Sequence, residues 1–154
     1  MDRLTGLADA RKIHAWLAQR AGAEQLSLVL FDVDDTAALN ERRGHQAVDR
    51  LLARLGSIVR ERCGADDVAA RIGGDEFALS LWDADVEEAL HEVERLRGGF
   101  RAASGGATLS AGICDSATLR RNSQVISLYH AAGDALHEAK RQRPEGLVIF
   151  SARG

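Results

Sequence analysis

Two glycines set between two β-rich runs narrow most sharply what this chain can fold into. Val68 to Ile72 and Glu76 to Trp82 read as strands, and Gly73-Gly74 joins them. So short a connection makes the two strands antiparallel neighbours. The glycine pair is expected to supply positive φ for a type I′ turn and to leave backbone open to a bulky ligand. Every other connection runs through a helical pattern, so an α+β sandwich follows, with helices packed on a mixed or antiparallel sheet.

The remaining elements come from periodicity. Ile13, Trp16 and Leu17 give a helical face over Ala8 to Arg20. Leu26 to Phe31 is an apolar run of the kind that forms a strand buried on both faces. Thr36 to Arg42 reads as a short helix broken by Gly44. Ala47 to Arg62 carries a 3.6-residue stripe through Val48, Leu51, Leu52, Leu55, Ile58 and Val59. Val86 to Phe100 is an amphipathic helix, and Gly98-Gly99 with Gly105-Gly106 are expected to bracket a loop. Ala107 to Ile113 is a strand, Ser123 to Arg141 a helix with Ser123 as N-cap, and Leu147 to Phe150 a last short strand. The order implies a five-stranded, mainly antiparallel sheet with a ferredoxin-like βαββαβ core. No linker or repeat divides the chain, so residues 1–154 are read as one domain.

Composition removes several functional classes. With 45% hydrophobic and 28% charged residues, the chain has the balance of an ordinary soluble domain. The run at Leu26 is far short of the roughly 20 residues of a membrane span, and no secretory signal is read from the sequence. A net charge of −3 argues against a nucleic-acid polymer as partner. The 20 Lys+Arg residues include only two lysines, Lys12 and Lys140. Cys63 and Cys114 lack metal or disulfide spacing and read as small buried residues, which suits a reducing cytoplasm.

Two carboxylate groups can carry chemistry. Asp32, Asp34 and Asp35 crowd the end of a buried strand, where they repel unless a cation or solvent offsets the charge. Asp75 and Glu76 follow the glycine pair. If the two strands are neighbours, Asp32 and Glu76 converge, and two hard oxygen ligands with substrate phosphates make a Mg²⁺ site. The alternative is a solvated acidic strand end beside an ordinary Gly-Gly turn.

The string Arg71-Ile72-Gly73-Gly74-Asp75-Glu76-Phe77 resembles the signature of the GGDEF domain, the catalytic domain of diguanylate cyclases. Asp2-Arg3-Leu4-Thr5-Gly6-Leu7 resembles the family's opening motif. Asp32-Val33-Asp34, Asn40, Gly44-His45 and Asp49 match its spacing of acids, amide and glycine. Thr108 to Ile113 is similar to a late family strand, and Ala135-Leu136 with Ala139-Lys140 to its last helix. The resemblance runs from Asp2 to about Phe150. It implies a palm-like fold, also seen in nucleotide cyclases and polymerases. It further implies condensation of two GTP into cyclic di-GMP and two pyrophosphates, between two domains that meet face to face. Asp32, Glu76 and the Val33 carbonyl would bind Mg²⁺, for which Mn²⁺ could substitute. Asp75 would help deprotonate the 3′-hydroxyl, making Asp75 and Glu76 the catalytic pair. Gly73 and Gly74 would admit the nucleotide, Asn40 and Asp49 would read guanine, and Lys140 would contact triphosphate. Chemistry supports Asp49, since a carboxylate accepts from guanine N1–H and N2 and adenine offers no such donors.

The sequence also departs from the family. Ala37 stands where a phosphate-contacting lysine is usual, and Pro144 where an arginine is usual. Each lost charge-assisted contact is worth roughly 1.5–3 kcal/mol, so weaker GTP binding is expected. Gly64 replaces the arginine of the family's product-binding motif, although Asp67 is retained, so no inhibitory site is expected. Two further readings stand beside the cyclase: a degenerate domain that binds GTP and regulates a partner, and a cyclase or palm-like enzyme for another nucleotide. Asn40 and Asp49 argue against the last. The sequence starts at the family's opening motif, so an upstream sensor or dimerisation segment is expected in a longer parent chain, which could be membrane-anchored.

Overall fold

The computed structural model describes residues 1–20, 22–121 and 127–151. Its elements are α1 (Ala10–Gln19), β1 (Leu26–Val33), α2 (Thr36–Arg43), α3 (His45–Arg62), β2 (Val68–Arg71), β3 (Glu76–Trp82), α4 (Val86–Ser104), β4 (Leu109–Asp115), α5 (Ser116–Arg121), α6 (Leu128–Lys140) and β5 (Leu147–Ile149). The strands form one sheet in the order β2-β3-β1-β4-β5. Three of its pairings are antiparallel, and β4 with β5 is parallel. The expected five-stranded, mainly antiparallel α+β fold is the one observed. Among the described residues, no helix is long and apolar enough to cross a membrane.

β1 lies at the centre, and all eight of its residues are buried. Its side chains alternate between two cores, as strand geometry demands. Val29, Phe31 and Val33 face α3 and α4, where Phe31 stacks on Phe77 with centroids 5.5 Å apart. Leu28 and Leu30 face Ile13 of α1 and Ala131, Ala132 and Leu136 of α6. Asp32 and Asp34 continue this second face beyond the apolar residues.

The second face is closely fitted to backbone. A Cβ on Gly112 of β4 would lie 2.1 Å from Leu136 N, and one on Gly146 would lie 1.9 Å from Ala139 O. Both glycines are needed for the main chain of α6 to rest directly on the sheet.

Three local expectations are corrected. Gly98-Gly99 does not open a loop: both lie inside α4, which runs on to Ser104 and ends at Gly105 with φ 74°. The Asp85–Glu88 capping box and the buried face of Ala89, Val93, Leu96 and Phe100 outweigh the low helix propensity of two glycines. Of the late helix expected over Ser123 to Arg141, α6 covers Leu128 to Lys140, and the short α5 before it was not expected. Ser127, whose hydroxyl accepts from His130 N, caps α6, and Ser123 lies outside the described residues. The strand expected from Ala107 starts at Leu109, after Ala107 N donates to Ser104 Oγ. Cys114 is buried and Cys63 half-buried, and both are free thiols.

Candidate active site

The Gly73-Gly74 turn closes differently from a type I′ turn. The last β2–β3 pair is Arg71 with Phe77, which leaves five residues in the connection. Neither glycine has positive φ. Instead the N–H groups of Ile72 and Gly73 both donate to Glu76 O, at 2.9 and 3.2 Å. The Arg71 guanidinium grips Gly74 O through Nε and Nη2 at 3.0 and 2.7 Å, and its Nη1 reaches Asp2 Oδ1 at 3.1 Å. Asp2 also accepts from the N–H and hydroxyl of Thr5. The opening motif is thus a brace for the turn, a role the spacing alone did not disclose. A Cβ on Gly74 would meet nothing within 4 Å, whereas one on Gly73 would lie 3.6 Å from Glu76 Cβ, an ordinary contact.

The longer turn folds Asp75 over the end of β1. Val33 N donates to Asp75 O at 3.3 Å, and the Thr36 hydroxyl donates to Asp75 Oδ2 at 2.8 Å. Thr36, read from the sequence only as the start of a helix, is a positioning group. Asp32 pairs with Glu76 in the β1–β3 register, which sets both acids on one face of neighbouring strands.

Lys140, at the end of α6, places Nζ 2.5 Å from Asp32 Oδ2. The Asp32 side chain is only 7% exposed. Burial pushes its carboxyl up to about 6 against the pull of Lys140, and the charges of Asp75 and Glu76 add to the rise. Burial works to lower the Lys140 ammonium, yet its bond to Asp32 and the charges of Glu76 and Asp75 raise it overall. Both partners of the ion pair therefore hold protons more firmly than usual. A cluster with that signature is short of positive charge. Its hard oxygen donors fit a Mg²⁺-type cation that takes one or two carboxylates and leaves the other positions to phosphate and water. Among the described residues no group of three or more His, Cys, Asp or Glu is arranged to hold a metal ion on its own, so the remaining ligands would come from phosphate and water.

Beside this cluster an open cleft of about 380 Å³ is lined by Thr36, Ala37, Asn40, His45, Asp49, Arg71, Gly74 and Asp75, among others. It brings together Asn40 from α2, Asp49 from α3 and the turn. Gly73 is not among its lining residues. Gly44, with φ 84°, ends α2 and lets α3 depart at once. At the opposite end of the hairpin, Asp67 is held by backbone. Its two carboxylate oxygens accept from Gly64 N and Trp82 N, each at 2.9 Å.

Comparison with known proteins agrees with this architecture. The family model "Diguanylate cyclase, GGDEF domain" matches residues 1–145. An uncharacterised Streptomyces griseus protein encoded in the hutH 5′ region is 34% identical over 99% of this chain and 67% of its own length. A Vibrio cholerae diguanylate cyclase is 28% identical over 97% of this chain, which spans 49% of that protein. The solved GGDEF domain of PA1120 from Pseudomonas aeruginosa superposes with a TM-score of 0.83 at 27% identity, covering 97% of this chain and 94% of that one. The GGDEF domain of DgcB from Caulobacter crescentus, solved with c-di-GMP, gives 0.86 at 22% identity, covering 99% and 93%. From Asp2 to the last helix, this chain belongs to the GGDEF family.

Proposed function

We propose that this domain condenses two GTP molecules into cyclic di-GMP, with release of two pyrophosphates. The observation that carries the reading is the cleft that joins Asn40, Asp49, Gly74 and Asp75 next to the cation-poor Asp32–Glu76 pair. Asp49 and Asn40 receive the guanine edge, and Asp49 accepts from donors that adenine lacks. Gly73 and Gly74 let the nucleotide lie against the backbone. Asp75, oriented by Thr36, takes the proton of the 3′-hydroxyl. Asp32, Glu76 and the Val33 carbonyl would hold a Mg²⁺-type cation, which would supply charge neutralisation for the triphosphate and polarisation of the reacting phosphate. Lys140, beside Asp32, would contact the triphosphate. Ala37 and Pro144 leave it the main phosphate-side cation.

Each domain holds one GTP, so two copies must meet, and turnover should rise steeply with protein concentration. We place the reaction in the cytoplasm, within a longer parent chain whose upstream segment controls pairing. Product feedback through the Gly64–Asp67 corner is absent in this reading, because Gly64 offers no side chain and Asp67 is bound to its own backbone.

The test is incubation with GTP and Mg²⁺ or Mn²⁺ at high protein concentration, with products separated by chromatography. Cyclic di-GMP that disappears in Asp75→Ala is the expected result. Measurable GTP binding with no cyclic product would instead establish a GTP-sensing regulatory domain. That second reading draws on the Lys140–Asp32 ion pair, which occupies the cation position, and on the two missing phosphate contacts.

A further inference from the structure

A second cleft, of about 640 Å³, opens between α2, α3 and the loop that leads into β4. Four arginines line it: Arg42 and Arg43 from the end of α2, and Arg50 and Arg54 one turn apart on α3. All four are exposed. None makes an ion pair or a side-chain hydrogen bond among the described residues. Several other arginines are paired. Arg62, Arg71, Arg97, Arg101 and Arg141 each lie 2.7–3.3 Å from a carboxylate oxygen.

The acids within the cleft do not balance the arginines. Asp34 accepts from Thr108, Ser110 and the Glu145 N–H, while Asp35 lies 3.9 Å from Arg143. Like charges at i and i+4, as at Arg50 and Arg54, weaken a helix unless an anion lies between them. In a chain of net charge −3, four such cations in one groove are a local feature and not a background.

The rest of the cleft describes the ligand. Leu39, Leu51 and Ala107 give it an apolar floor. Gly105 and Gly106 form a wall without side chains, and a Cβ on either would meet nothing within 4 Å. Guanidinium forks match phosphate oxygens two at a time. An apolar floor beside them takes a ring or an alkyl group.

We propose that this groove binds an organic phosphate carrying at least two negative charges, such as a nucleoside diphosphate, at a site separate from the Asp49 cleft. The phosphates lie between the two arginine pairs and the organic group on Leu39 and Leu51. Asp34 and Asp35 line the groove and follow directly on β1, so an occupant touches the loop that leads from Asp32 into α2.

The test is calorimetric titration of the purified domain in EDTA at low ionic strength. Without a divalent cation, the acidic Asp32–Glu76 cluster does not attract phosphate. The probes are pyrophosphate, guanosine diphosphate and adenosine diphosphate. Expected is binding of all three, with both nucleotides severalfold tighter than pyrophosphate and similar to each other. Arg50→Gln/Arg54→Gln, and separately Arg42→Gln/Arg43→Gln, should each weaken binding about tenfold or more, with unchanged circular dichroism. Asp49→Ala and Lys140→Ala should leave it unchanged. Absence of binding, or binding that follows Lys140 or Asp49 and ignores the arginines, overturns the site. Equal affinity for pyrophosphate and the nucleotides overturns its organic specificity. Failure of cyclic di-GMP synthesis bears on neither result.

Discussion

Asp32 and Asp34 stand two residues apart at the end of the same strand, on the same face, and have opposite surroundings. Asp34 is fully served by the protein. Thr108 and Ser110 donate hydroxyls to it at 2.7 Å each, and Glu145 donates its N–H at 2.9 Å. Gly146 N in turn donates to Ser110 Oγ, and the buried Arg97 holds the carbonyls of Glu145 and Gly146 at 2.7 and 2.8 Å. Asp32 has a single ammonium, two further acids nearby and a carboxyl pushed up to about 6 by burial. One carboxylate is a structural knot, while the other is held at a cost to the fold. Buried charge left short of partners belongs where chemistry is done.

The widest separation between the two should come from removing each side chain. Asp32→Ala should lower cyclic di-GMP synthesis by about a thousandfold or more, roughly 4 kcal/mol in the barrier, with little loss in Tm. A variant that retains activity would break the distinction at its functional end. Asp34→Ala strands three donors and should cost about 3 kcal/mol of stability, read as a shift in the urea midpoint. An unchanged midpoint would show that the knot holds nothing.

The third comparison uses pH. The folded pKa of Asp32 lies above the usual 3.8, so its contribution is most favourable below about pH 4 and is lost as pH rises through about 6. Asp32→Asn should therefore stabilise the metal-free protein at pH 8 by about 1–2 kcal/mol. The gain should shrink as pH falls below 6. A gain that is flat across that window would assign the effect to packing. The smallest effect is expected from Ser110→Ala, which removes one donor to Asp34 and one acceptor for Gly146 N. It should lower stability by about 1–2 kcal/mol while leaving the Asp32–Lys140 pair and the GTP affinity alone.

The same contrast separates what could be read from the sequence. Asp32 was legible because its signal is local: an apolar run that ends in acids, and a hairpin that must lie beside it. The role of Asp34 was not, because its three partners lie 74, 76 and 111 residues away. No periodicity encodes a hydrogen bond of that span. The turn was misjudged for a related reason. Gly-Gly suggests positive φ, but Arg71 and Asp2 determine how the loop closes, and Asp2 belongs to the far end of the chain. Gly98-Gly99 reads as a break by propensity, and the buried face of α4 overrides it. The match of Asn40, Asp49 and Asp75 to one cleft required the angle between α2 and α3 that Gly44 permits.

The seam between α6 and the sheet has a consequence for how defects in this protein would be recognised. Lys140 reaches Asp32 from the last residue of a helix whose main chain is seated on Gly112 and Gly146. The height of that helix, not the length of the lysine side chain, sets where the ammonium arrives. One methyl group on Gly112 has no charge and lies on a strand position far from Asp32 and Lys140 in the chain order. It would lift the helix and carry the cation off its carboxylate. Such a lesion would look in an assay like the loss of a lysine, though every lysine was still present.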